Sequence, residues 1–107
     1  MTFPTLPLSL ALDRRHGLAR LLCRGDIAAL LLGADGRLSV VRRDGARESV
    51  VLEAATTVFT ALVILRMRSQ RGREALAVPV SALGAEAHRR LRVWLRWRAL
   101  PSLRAAV

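Results

Sequence analysis

The chain has 107 residues, enough for one domain that buries about 65% of its unfolded surface without metals or disulfides, and its single cysteine, Cys23, excludes an internal disulfide and fits a reducing or cytosol-facing setting. The formal net charge is +10, but all 18 basic residues are arginine and none is lysine, alongside abundant alanine, which is the signature of a GC-rich genome; the placement of the charge therefore says more than its total. The longest uncharged runs, Met1 to Leu12 and Ala54 to Leu65, are too short for a membrane span, which needs about 20 apolar residues, and the N-terminus lacks the leading positive charge and small-residue cleavage site of a signal peptide.

In chain order, Pro4 and Pro7 hold the first residues extended, and Asp13 to Leu22 reads as a short helix with Leu18, Leu21 and Leu22 apolar. Ile27 to Leu32 and Arg37 to Arg42 read as strands joined through Gly33-Ala-Asp-Gly36, where Asp-Gly supplies the positive φ of a tight turn. Asp44-Gly45 repeats the signal and leads into a third strand, Arg47 to Leu52. Glu53 to Thr57 is a connection or an irregular edge. Thr60 to Arg68 carries the clearest alternation: Ala61, Val63, Leu65 and Met67 share one face and Leu62, Ile64, Arg66 and Arg68 the other, so the start of the strand is expected to be buried on both sides and its end to emerge into water. Ser69-Gln-Arg-Gly72 turns the chain into Arg73 to Val80, with Leu76, Val78 and Val80 inward and Pro79 marking an edge or an end. A helical turn starts at Ser81, and the helix proper runs from Gly84 to about Arg98, with Glu86 favourably placed in its first turn and Pro101 barring much continuation. These elements predict an α+β fold, an antiparallel β-meander of about five strands packed by one C-terminal amphipathic helix. The domain spans 26–98, between an N-terminal segment, 1–25, and a tail, 99–107.

The segment His88 to Arg98 concentrates five arginines and both tryptophans in one helix length. At 100° per residue, Ala87, Leu91, Trp94, Leu95 and Trp97 gather on one side and Arg89, Arg92 and Arg96 on the other. Leu91, Trp94 and Leu95 are the expected anchors, and Trp97, at the edge of the apolar arc, is the aromatic candidate for partner contact. The arginine face is either a solvated surface or one that meets acidic lipid or an acidic protein. Arg66, Arg68 and Arg73, where the paired strands reach water, form a second candidate rim.

Catalytic constellations are absent from the pattern. His16, His88 and Cys23 have none of the spacings that hold a metal, and His88 reads as an exposed helix residue. Asp35 and Asp44 belong to turns, Glu86 to the helix start, and Asp13 and Asp26 to local pairing or turns, so no acid/base pair emerges. The hairpin glycines do not lead from a strand into a helix as phosphate cradles do. The pattern argues against an enzyme, a metal site or a cofactor. Nucleic acid is the weakest of the possible partners, because tyrosine is absent and no strand carries a stacking platform.

The succession of Asp35-Gly36 between two strands, Leu62-Val-Ile-Leu-Arg-Met-Arg68, a strand ending Val78-Pro-Val-Ser81, and His88-Arg-Arg-Leu-Arg-Val-Trp-Leu-Arg-Trp97 resembles the cytoplasmic domain of the YgfX family, also called toxin CptA. The resemblance covers 26–98, and Arg90-Leu-Arg-Val-Trp-Leu-Arg96 is its most specific part. It implies residence at the cytoplasmic face of the bacterial inner membrane, interference with the division and cell-shape polymers FtsZ and MreB, and a small SdhE/CptB-like partner acting as antitoxin. Leu8 to Leu22 is similar to the start of the family's first membrane helix, but Cys23-Arg-Gly-Asp26 enters the sheet at once, and the family's transmembrane hairpin is missing. Strands followed by an amphipathic helix are also similar, in architecture alone, to pleckstrin-homology-like domains, which supplies the alternative of a membrane-surface adaptor binding anionic lipid.

Overall fold

Period-two alternation demands a sheet with one dry face, and the computed structural model, which describes residues 8–12 and 27–101, has that sheet. Its strands are β1 (Leu8–Ala11), β2 (Ile27–Leu32), β3 (Leu38–Arg42), β4 (Arg47–Leu52), β5 (Thr57–Val58), β6 (Leu62–Ser69) and β7 (Gly72–Pro79). Every pairing is antiparallel, in the order β1-β2-β3-β4-β6-β7, and the two-residue β5 lies along β6 on the flank that β4 occupies. A short helix, α1 (Val80–Leu83), and a longer one, α2 (Ala85–Trp94), follow, and α2 continues into a π-helical turn, Leu95–Ala99. The α+β meander closed by one C-terminal helix is the fold. Among the described residues it has two strands more than the five read from the sequence.

The first of these corrects the N-terminal boundary. Leu8–Ala11 pairs with β2 from Leu8↔Leu32 to Ala11↔Ala29, the Leu12 N–H donates to the Ala28 carbonyl at 2.9 Å, and Leu10 joins the core. Leu8 to Ala11 is therefore part of the sheet and not the start of a membrane helix. Four residues are too few for alternation to stand out, which is why the pattern hid them. The helix expected over Asp13 to Leu22 lies outside the described residues. No helix among the described residues is long and apolar enough to cross a membrane.

The strands bury one face. Leu30, Leu32, Leu38, Val40, Val50, Leu52, Val63, Leu65, Met67, Leu76 and Val78 point inward, and α2 adds Leu91, Trp94 and Leu95 to the same cluster. β6 begins at Leu62, so Thr60 and Ala61 precede it, and Ala61 is exposed instead of facing the core. The interruption before it has a cause in Thr56: its buried hydroxyl accepts the Arg66 N–H at 3.0 Å and donates to the Arg66 carbonyl at 3.2 Å, while the Glu53 N–H donates to that carbonyl at 2.7 Å. A side chain thus fills a gap in the ladder between β4 and β5.

The helix is tied at both ends of its path across the sheet. His88 Nε2 lies 2.9 Å from the Val78 carbonyl on the edge strand β7, and Trp94 donates its Nε1–H to the Gly33 carbonyl at 2.7 Å. Glycine is required at position 36: φ is +88°, and a Cβ there would meet the Arg98 carbonyl oxygen at 2.9 Å. The core also runs past the expected end of the domain, because Ala99 and Leu100 are buried. A π turn holds one residue more than an α turn, and the extra residue brings Leu95, Ala99 and Leu100 all onto the sheet side.

Candidate interaction surfaces

α2 is rotated relative to the wheel reading. Its buried stripe is His88, Leu91, Trp94 and Leu95, and Trp97, counted among the apolar side, is 71% exposed, with Val93 one turn before it at 44%. Arg89, Arg92 and Arg96 do not form one surface. Arg89 joins Arg90, Val93, Trp97 and Arg98 around a shallow hollow, whereas Arg96 stands over the 54–58 connection beside Thr56 and Val58. Arg92 is half-buried, and its Nε is enclosed without a hydrogen-bond partner among the described residues. Glu86 accepts from Arg89 at 2.8 and 3.1 Å and from Arg90 at 3.2 Å, and the two guanidiniums hold its carboxyl down to about 2. These pairs are solvent-exposed, so they orient the arginines more than they stabilise the helix.

The second candidate set sits elsewhere. Arg66, Arg68 and Arg73 project from the outer face of the sheet, the face away from α2, with Arg68 directly opposite Arg73 across the β6 and β7 pair and Val51 on the other side of Arg68. The β3–β4 and β6–β7 turns lie at the same end, since the Gln70 N–H donates to Glu48 at 2.9 Å, and this brings the exposed Arg43 and Arg47 nearby. The β2–β3 turn, where the C-terminal end of the helix packs, is at the opposite end of β3. The candidate residues are therefore scattered: Arg89 and Trp97 share one side of the helix, Arg96 stands apart from them, Arg92 is partly buried, and Arg66, Arg68 and Arg73 form a separate basic surface on the sheet.

What the sequence reading missed lies beneath the second surface. Arg42 is a charged residue at an inward position of β3, its side chain 2% exposed, and its guanidinium is held by Glu48 at 2.9 Å and Glu74 at 2.9 and 3.1 Å. Both carboxyls lie below the usual carboxylate range, Glu48 first through the Gln70 N–H and then through Arg42, Glu74 first through Arg42. A signal was present: Arg42, Glu48 and Glu74 each continue the inward alternation of an apolar strand, and three such breaks coincide at one end of the sheet. With these carboxylates turned inward, the outer arginines have few anions around them. The Arg73 Nε reaches Glu53 only at 3.8 Å, and among the described residues the ion pairs leave Arg66 and Arg68 without a carboxylate.

His88 is a correction as well. It was expected on the surface, and it is fully buried between α2 and β7, with Nδ1 unpartnered among the described residues. Imidazole is polar on paper but carries an apolar body, so one carbonyl is enough to seat it in a core. Burial pushes its pKa below 6.5, and the nearby Arg92 pushes the same way, against the Val78 hydrogen bond. The unfolded chain therefore takes up the proton first, and stability falls as pH drops below about 6.5 towards the lower folded value. The carboxyls of Glu48, Glu74 and Glu86, also lowered, add their losses only below 4.5. The melting temperature is thus expected to decline between pH 7 and 5, and His88→Gln, which retains a donor for Val78, should flatten that decline. An unchanged slope in the variant would remove His88 as its source.

Of the other possible metal ligands, His16 and Cys23 lie outside the described residues, and no group of three or more His, Cys, Asp or Glu capable of holding a metal occurs among the described ones. Comparison of the chain with protein-family models, with curated proteins and with solved structures returned no match.

Proposed function

We propose that this chain is a non-enzymatic protein-interaction module of the YgfX/CptA kind, working by stoichiometric association with an acidic protein at the end of the sheet that displays Arg66, Arg68 and Arg73. One observation carries the reading: Arg68 faces Arg73 directly across two strands while the neighbouring Glu48 and Glu74 are committed to Arg42 inside. Like charges directly opposite destabilise a sheet, and an acidic surface docked over them relieves the repulsion and steers its own approach. The partners implied by the resemblance are the small SdhE/CptB-like protein, FtsZ and MreB.

The purified chain mixed with each of these is expected to give a complex that weakens with salt and is lost in an Arg66→Gln, Arg68→Gln, Arg73→Gln variant. Because all three side chains project into solvent, the variant keeps the wild-type fold by circular dichroism. Absence of a complex with all three partners, or a complex that the triple variant forms equally well, rejects the reading.

A further inference from the structure

We infer that the outer side of α2 is an adhesion surface for anionic lipid headgroups, in which Trp97 and Val93 enter the interfacial layer and Arg89 and Arg90 meet the phosphates. This surface lies apart from the one assigned to the protein partner and does not depend on it.

Val93 and Trp97 are four residues apart, so their side chains adjoin along the helix, and both are exposed while Leu91 and Leu95 beside them are fully buried. The π turn contributes to this arrangement: it commits Leu95, Ala99 and Leu100 to the core and leaves Trp97 outside it. An exposed indole is amphipathic and settles at the depth of the headgroups, where its ring is dry and its N–H is wet. Arg89 and Arg90 flank Val93 one turn earlier, and Arg98 lines the same hollow. From Ala85 to Arg98 the helix carries five arginines against one carboxylate, Glu86; it pairs at the solvent-exposed end with both Arg89 and Arg90, so the two guanidiniums share one negative charge and keep a net positive one for a phosphate.

The size of the strip decides between occupants. A stable protein interface buries about 800 Å² on each side around an apolar centre. Two exposed apolar side chains on the convex outside of a helix make a small centre for that. They suffice for peripheral lipid binding, where cations near an anionic surface supply much of the attraction and the apolar residues need only reach the acyl boundary.

The test uses the full chain with vesicles of phosphatidylcholine, alone or mixed with phosphatidylglycerol, followed by sedimentation and tryptophan emission. Trp94 is enclosed and hydrogen-bonded to Gly33, so a blue shift on binding reports Trp97. Binding is expected only with the mixed vesicles, with a blue shift, and it should fall as salt rises. Trp97→Ser should abolish the shift and weaken binding about tenfold. Arg89→Gln and Arg90→Gln should each weaken it about fivefold. Arg68→Gln with Arg73→Gln, on the opposite face, should leave it unchanged. Equal binding to both vesicle types, wild-type binding by the Trp97→Ser variant, loss confined to the Arg68 and Arg73 variant, or a blue shift elicited by polyglutamate but not by vesicles would each overturn the assignment.

Discussion

Replacing Trp94 with alanine is expected to lower stability by about 3 to 5 kcal/mol, the cost of emptying a large aromatic from a packed core. Trp94 is 9% exposed and sits among the strand side chains of the inner face, so little solvent is available to fill the space it leaves. It also donates the hydrogen bond that fixes the helix to the β2–β3 turn, at 2.7 Å from Nε1 to the Gly33 carbonyl. Trp94→Phe is expected to fall between the native chain and Trp94→Ala. It keeps a six-membered ring but removes the donor together with the pyrrole part of the indole, for an expected loss of about 2 to 3 kcal/mol. Urea denaturation of both variants measures this directly. A loss under about 1 kcal/mol for Trp94→Ala would mean that the helix is held by Leu91 and Leu95 and that Trp94 is no anchor.

The elements that were legible in the sequence are those with a strong local cause. Asp35-Gly36 and Asp44-Gly45 made their turns through the expected chemistry, with the Asp35 carboxylate accepting the Arg37 N–H at 3.1 Å and the Asp44 carboxylate accepting the Ala46 N–H at 2.9 Å. β6 alternates as its residues demand, and Leu91, Trp94 and Leu95 are buried as helix spacing required. Where the reading fell short, the determinant was non-local. β1 is defined by its partner β2, and β5 by two residues of β6, and neither carries enough of its own pattern to be seen. His88 is inside because a carbonyl of another strand awaits it, and the π turn exists because Ala99 and Leu100 have a core to join.

The candidate residues divided along the same line. Arg66, Arg68 and Arg73 emerge into water as the end of an alternating strand and its partner should. Arg89, Arg92 and Arg96 were grouped by an ideal wheel. The phase of the real helix is set by the inclusion of His88 in the buried stripe, which turns Val93 and Trp97 outward and draws Arg92 partly in. A wheel scores polarity, whereas the packed helix responds to shape and to the carbonyl it can reach.

The buried arginine is where an interior charge decides the architecture of the second surface. Arg42→Met is expected to cost about 3 to 5 kcal/mol at pH 7, because it leaves Glu48 and Glu74 facing one another with their shared cation gone. The partial exposure of Glu74, 26%, places the loss towards the lower end. The dependence on pH follows from the sign of the shifts. In the native chain both carboxyls are held below 4.5, so the stability they contribute is present above that value and is lost as pH falls through their folded range. In the variant Arg42 no longer holds them down, although the Gln70 N–H still lowers Glu48 and Ser69 still lowers Glu74; protonation relieves their repulsion, and the two stability curves should approach one another in acid. Adding Glu48→Leu and Glu74→Leu to Arg42→Met removes both of these stranded carboxylates and should recover part of the loss at pH 7, apart from the Glu48 bond to the Gln70 N–H. A single variant that costs less than about 1 kcal/mol, or a difference from the native chain that persists unchanged to pH 3, would show that the cluster does not hold β3, β4 and β7 together. If the cluster does hold them, the same three residues fix the two turns beside which Arg68 and Arg73 are displayed. An interior ion cluster then keeps an exterior row of like charges in register.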